Sequence, residues 1–144
     1  MKKTVVLLVF VLVSCLAFAQ KAEDAVGIWY NAQKDAKIEI FKKGSNYFGK
    51  IVWLQNPSED GKTKRDTKNP SENLRNREII GLEILNNFNA TGKNVLENGT
   101  IYDPKSGKTY SCKITVETVN KLNVRGFIGV SLIGRTDVWT RATK

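Results

Sequence analysis

The sequence predicts an all-β protein, a single antiparallel, eight-stranded, up-and-down β-barrel with one long loop that carries a short helical turn. Three observations predict it. Beyond residue 19 the chain reads as short runs of alternating or β-branched residues, punctuated by turn signals. No stretch carries the 3.6-residue periodicity of an amphipathic helix of ordinary length. The strands are joined mostly by short turns, and a meander of that kind removes its exposed edges by closing on itself.

The elements follow in order. "AVGIWYN" (25–31) is the first run. "AKIEIFKK" (36–43) alternates strictly, with Ala36, Ile38 and Ile40 on one face and Lys37 and Glu39 on the other. "KGSN" (43–46) turns the chain into "YFGKIVWL" (47–54), rich in aromatic and β-branched residues, and the two runs form a hairpin. Residues 55–77 hold two Asn-Pro pairs, an Asp-Gly and almost no apolar residue, so they leave the sheet as a long loop. Within it "PSENLRNR" (70–77) opens a helical turn, with Ser71 as cap and Glu72 in the first turn. "EIIGLEIL" (78–85) reads as the next strand. Asn98-Gly99 is a hairpin signal leading into "GTIYD" (99–103). "DPKSGK" (103–108) is a tight turn before "KTYSCKITVE" (108–117), where Tyr110, Cys112, Ile114 and Val116 share one face. "KLNVRGFIGV" (121–130) and "RTDVWTRA" (135–142) close the chain.

The first residues set the expected address. Two lysines precede an apolar run that ends in Ala17-Phe18-Ala19, the layout of a cleavable export signal over residues 1–19. The run is too short to read as a membrane span, so no transmembrane segment is expected after cleavage, and the domain spans 20–144. "LVSC" (12–15) offers the alternative of a lipoprotein anchored through Cys15. Cleavage takes two of the 23 basic residues and none of the 14 acidic ones, leaving 125 residues with a formal charge of +7. That length suits one domain with one core. Cys112 is then the only cysteine, so burial and sheet hydrogen bonding rather than a disulfide must supply stability.

Composition excludes much chemistry. The chain contains no histidine, and its carboxylates show no metal-ligand spacing, so no metal or cofactor is expected. A serine nucleophile would need a lysine base, and no such pairing is visible; a pair among Asp66, Glu72, Glu78 and Asp103 would be needed for glycoside chemistry. Cys112, mid-strand, reads as a buried inert thiol. The bases are scattered, and the densest run, "GKTKRDTK" (61–68), is diluted by Asp66, so nucleic acid is not an expected partner.

Several stretches together resemble the bacterial exported family called domain of unknown function 2147. They are "GIWY" (27–30), "DTKNPSENLRNREIIGLEIL" (66–85), "GTIYDPKSGKTYSCKI" (99–114) and "LNVRGFIGVSLIGRTDVWTR" (122–141). The resemblance implies an exported β domain with no established substrate. More broadly the chain is similar to lipocalin-like barrels, the calycins, whose signature is Gly-x-Trp on the first strand with an Arg of the last strand over that Trp. Gly27, Trp29, Trp139 and Arg141 are accordingly the expected closure residues.

Two function classes stand. A binding barrel would hold a small apolar or amphipathic, lipid-like ligand, with Arg125, Tyr102, Tyr110 and Phe127 as candidate contacts and Arg125 as a head-group anchor if its face looks inward. Asp66, Asn69 and Arg77 are a second candidate set, whose plainer role is to fix the long loop through an Asx turn and an ion pair. The alternative is a solid envelope barrel that acts through surface contacts with protein, glycan or anionic lipid. Interior volume separates the two.

Overall fold

The computed structural model describes residues 19–143. The predicted leader up to residue 18, with Cys15, lies outside the described residues.

A 3-10 turn, Ala22–Ala25, leads into β1 (Gly27–Tyr30), β2 (Ala36–Lys43) and β3 (Asn46–Leu54). A small hairpin, β4 (Ser58–Glu59) and β5 (Lys62–Thr63), and a second 3-10 turn, Glu72–Leu74, occupy the long loop. Then come β6 (Glu83–Ala90), β7 (Val95–Asp103), β8 (Lys108–Thr118), β9 (Lys121–Phe127) and β10 (Gly134–Arg141). Every neighbouring pair is antiparallel, and the order β1-β2-β3-β6-β7-β8-β9-β10 closes back on β1. The expected eight-stranded up-and-down barrel is therefore the fold, with β4 and β5 as an insertion outside it.

The barrel is solid at one end and hollow at the other. At the end where the 3-10 turn Ala22–Ala25 sits, Trp29, Phe88, Leu96, Ile114, Val116 and Leu122 are buried in a continuous apolar cluster. The Ala22 amide donates to the Lys93 carbonyl at 2.7 Å, which ties that turn to the β6–β7 connection. The long loop and the segments 31–35, 104–107 and 128–133 gather at the opposite end.

Three local expectations are corrected. The apolar run 78–85 is not a strand from its start. Gly81, at φ +92°, turns the chain, and β6 begins only at Glu83; Ile79 and Leu82 are buried as loop side chains. Asn98-Gly99 is not a hairpin. It lies within β7, where Asn98 takes φ +62° and the register with β8 slips between Leu96 and Gly99, as in a β-bulge. The reason is packing, since a Cβ on Gly99 would stand 2.4 Å from the Phe88 ring, so the missing side chain makes room for a large aromatic of the solid end. The true turn is residues 91–94. Finally, Ser71 makes no side-chain cap; its own amide donates instead to Asn69 Oδ1 at 2.8 Å, and the turn is held by an Asx contact.

Candidate functional site

Alternation carries the inward faces from the solid end up into the hollow one. Ile38, Ile51, Ile101, Tyr110, Val124 and Trp139 line a cavity of about 1360 Å3 that opens at the loop end. Gly126 also faces it; the nearest atoms to a Cβ placed there, on Ile101 and Tyr110, are 3.7 Å away. Ligand pockets commonly measure about 300–1,000 Å3 with mostly apolar walls and a few placed polar groups. This cavity exceeds that range because its mouth is open to solvent.

The polar groups sit toward the mouth. Asp137 projects from β10 into the cavity wall and accepts from Arg135 Nε at 2.9 Å. Lys62, Lys64, Arg65 and Lys68 of the long loop reach the same opening. Lys105 crosses to Asp35 Oδ2 at 2.9 Å, and Asp35 is also braced by the Asn31 amide at 2.6 Å. That Asn31 hydrogen bond, opposed by burial and reinforced by Lys105, holds the Asp35 carboxyl below its usual pKa. Two loops are thus pinned across the mouth.

The sequence-derived candidates divide. Tyr110 faces the cavity. Tyr102 alternates with the inward Ile101 and lies under the long loop, where it borders the cavity, its hydroxyl donating to Asp66 Oδ1 at 2.5 Å. Arg125 is not a lumen anchor. It pairs with Lys113 and Thr136 on the outward parity of β9, and its Nε donates to the Ser131 carbonyl at 2.6 Å and its Nη1 to Thr136 Oγ1 at 2.9 Å. Phe127 has the same outward parity and reaches the cavity only at its lip. The arginine that a barrel strand brings to the opening is Arg135, and the sequence signal for it is the inward register it shares with Asp137 and Trp139. Trp139 lines the cavity and is not among the residues that pair β1 with β10, which are Trp29–Arg141 and Tyr30–Thr140.

Asp66, Asn69 and Arg77 do converge. Asp66 is fully buried; its Oδ2 accepts from Asn69 Nδ2 at 2.8 Å and Arg77 Nη2 at 2.9 Å, while Oδ1 takes the Tyr102 hydroxyl. Burial alone would raise the Asp66 pKa, but these three donors outweigh it and hold the carboxyl below the usual range. Burial and the adjacent carboxylate push Tyr102 up to about 12. Every oxygen of the carboxylate is satisfied within the protein, so the cluster clamps the long loop to β7. A shallow groove of about 680 Å3 runs beside it on the outer surface, floored by Arg77, Glu78 and Thr109.

Among the described residues no group of three or more His, Cys, Asp or Glu side chains converges to hold a metal ion, and no helix is long and apolar enough to cross a membrane.

Comparison with known proteins places this geometry. The family model described as an uncharacterised protein conserved in bacteria, DUF2147, matches residues 27–141. Among solved structures the chain is similar to protein HP1028 from Helicobacter pylori, described as belonging to the lipocalin family. The TM-score is 0.76 and the identity 21%, over 88% of this chain and 86% of that one. At that identity the likeness speaks for the fold. Curated proteins give no match.

Proposed function

Since the chain belongs to the uncharacterised bacterial family DUF2147, which supplies no activity, we propose from the cavity itself that the protein binds a small amphipathic, lipid-like molecule with an anionic head. The observation that carries this is a largely apolar, one-ended lumen of about 1360 Å3 whose mouth presents Lys62, Lys64 and Lys68 beside Glu59 and Asp60 of the same loop, while Asp35 and Asp137 are already paired with Lys105 and Arg135. An acyl or other apolar body buried against Ile38, Ile51, Val124 and Trp139 gains the hydrophobic contribution of its area. A carboxylate or phosphate left at the mouth meets ammonium and guanidinium groups. The lipocalin-like fold supports the reading as architecture. The solid-barrel alternative is disfavoured, because only the end beneath Trp29 and Phe88 is close-packed.

The setting we propose is outside the cytoplasm, supported by the leader-like residues 1–19. Mass determination of the mature N-terminus reads it directly: Gln20 for signal removal, an acylated Cys15 for the anchored form.

Titration with cis-parinaric acid, an intrinsically fluorescent fatty acid, tests the binding. Saturable enhancement that a Gly126→Phe variant abolishes, at unchanged melting temperature, supports a lumen site. Equal binding by that variant, or none by the parent, overturns it.

A further inference from the structure

Among the described residues, the segment 128–133, between β9 and β10, is the most apolar exposed feature. Ile128, Val130, Leu132 and Ile133 are exposed by 72%, 58%, 89% and 69%. Soluble proteins scatter single apolar side chains over their surfaces, but four on one six-residue tip form a patch that calls for a partner.

The tip is a built structure. The Ile128 amide donates to the Ile133 carbonyl at 3.3 Å and the Ile133 amide to the Val130 carbonyl at 3.1 Å. Arg125 then holds the Ser131 carbonyl from outside. Charge is arranged to match. On the strand residues that flank the loop, 122–127 and 134–136, the chain carries Arg125 and Arg135 and no acidic residue. Arg125 and Arg135 stand at the two roots of the loop; Arg135 shares its charge with Asp137, while Arg125 meets no carboxylate among the described residues. Across the mouth, Lys62, Lys64 and Lys68 face the same opening, with Glu59 and Asp60 beside them.

We propose that residues 128–133 are a docking tip that inserts its apolar side chains into the interface of an anionic lipid bilayer, seating the cavity mouth on the membrane. A convex apolar tip with basic roots suits a headgroup layer, where the side chains sink and the cations stay at the phosphates. A second copy of the chain is a poorer occupant, because a stable protein interface takes roughly 20–30 residues a side and this tip supplies six. Ile128 and Ile133 also line the cavity, so the apolar surface runs unbroken from tip to lumen. That continuity deepens the proposed ligand binding and rests on it, whereas the docking itself stands on the tip and its charges alone.

Flotation of the protein with lipid vesicles tests the proposal. Vesicles of phosphatidylcholine containing phosphatidylglycerol are expected to carry the protein, roughly tenfold better than phosphatidylcholine alone, with the advantage shrinking as salt rises. The double variant Leu132→Asp, Ile133→Asp is expected to lose roughly tenfold or more of that binding at an unchanged melting temperature, since both side chains are solvent-exposed. Failure of the parent to float with anionic vesicles, or equal flotation of the double variant, overturns the proposal. So does a dimer in sedimentation that the double variant dissolves, which would make a second copy the occupant. Gly126→Phe separates the two readings: it removes cis-parinaric acid binding in vesicle-free solution and leaves flotation intact. Loss of flotation with retained parinaric binding overturns docking alone, and the reverse overturns the lumen ligand alone.

Discussion

The guanidinium carbon of Arg141 lies 4.1 Å from the centroid of the Trp29 ring, on two strands that are neighbours only because the barrel closes. The contact is more than stacking. Arg141 Nη2 donates to the Asp24 carbonyl at 2.6 Å, Nη1 to the Val26 carbonyl at 3.2 Å and Nε to the Val119 carbonyl at 2.5 Å. Trp29 Nε1 donates to the Ala25 carbonyl at 2.8 Å. One arginine thereby satisfies carbonyls of the entry segment and of the β8–β9 turn, while the indole it covers fills the solid end. Trp29 is completely buried, so Trp29→Ala is expected to cost about 3–5 kcal/mol. Urea unfolding measures it, and a variant as stable as the parent would contradict the seam.

Gly27 completes the same lock. Its φ is +136°, and a Cβ there would stand 2.4 Å from Arg141 Nη1. Gly27→Ala therefore meets both backbone strain and the guanidinium. A loss of about 1–3 kcal/mol is expected from the strain alone. In an Arg141→Ala background the steric part disappears, so the two changes should be non-additive in a double-mutant cycle.

The closing contact was legible because Gly-x-Trp near the start and an Arg near the end are local signals with one geometric consequence. The lumen was less so. Inward Tyr110 follows from the alternation of Cys112 and Ile114, yet the placement of Arg125 required the register of β9, and a one-residue shift exchanges the two faces. The bulge at Asn98-Gly99 carries the same dipeptide as a hairpin; only the Phe88 ring, distant in sequence, decides between them. The Asp66 cluster was visible as residue types, but Tyr102, its fourth member, comes 36 residues later and joins only through the fold.

That cluster predicts a pH profile. The folded Asp66 pKa lies below the ordinary carboxylate value of 3.8, so the unfolded state binds the proton more readily. The stability Asp66 contributes is fully present above pH 3.8 and is lost as pH falls through the lower folded value. Tyr102 has the opposite sign: its pKa rises from 10.0 to about 12, so its contribution is complete below pH 10 and is lost as pH climbs toward 12. Melting temperature against pH should show both limbs. Asp66→Asn should flatten the acid one, and Tyr102→Phe, by stripping a donor from a buried carboxylate, should cost about 1–3 kcal/mol at neutral pH.

Cys112 is a free, buried thiol. It lies on the inner face of β8, nearly inaccessible, and burial pushes its thiol up to about 12. Reactive cysteines need an exposed thiolate, and this one has neither exposure nor ionisation at neutral pH. It should resist Ellman's reagent in the folded protein and react at once in denaturant. The same inertness makes it a reporter of the solid end. Trp29→Ala, which removes the largest fully buried side chain from the core that holds Cys112, should speed labelling under native conditions, whereas Leu132→Asp at the far tip should leave the rate unchanged. Equal rates in the two variants would mean that Cys112 is shielded by something other than the packing beneath Trp29.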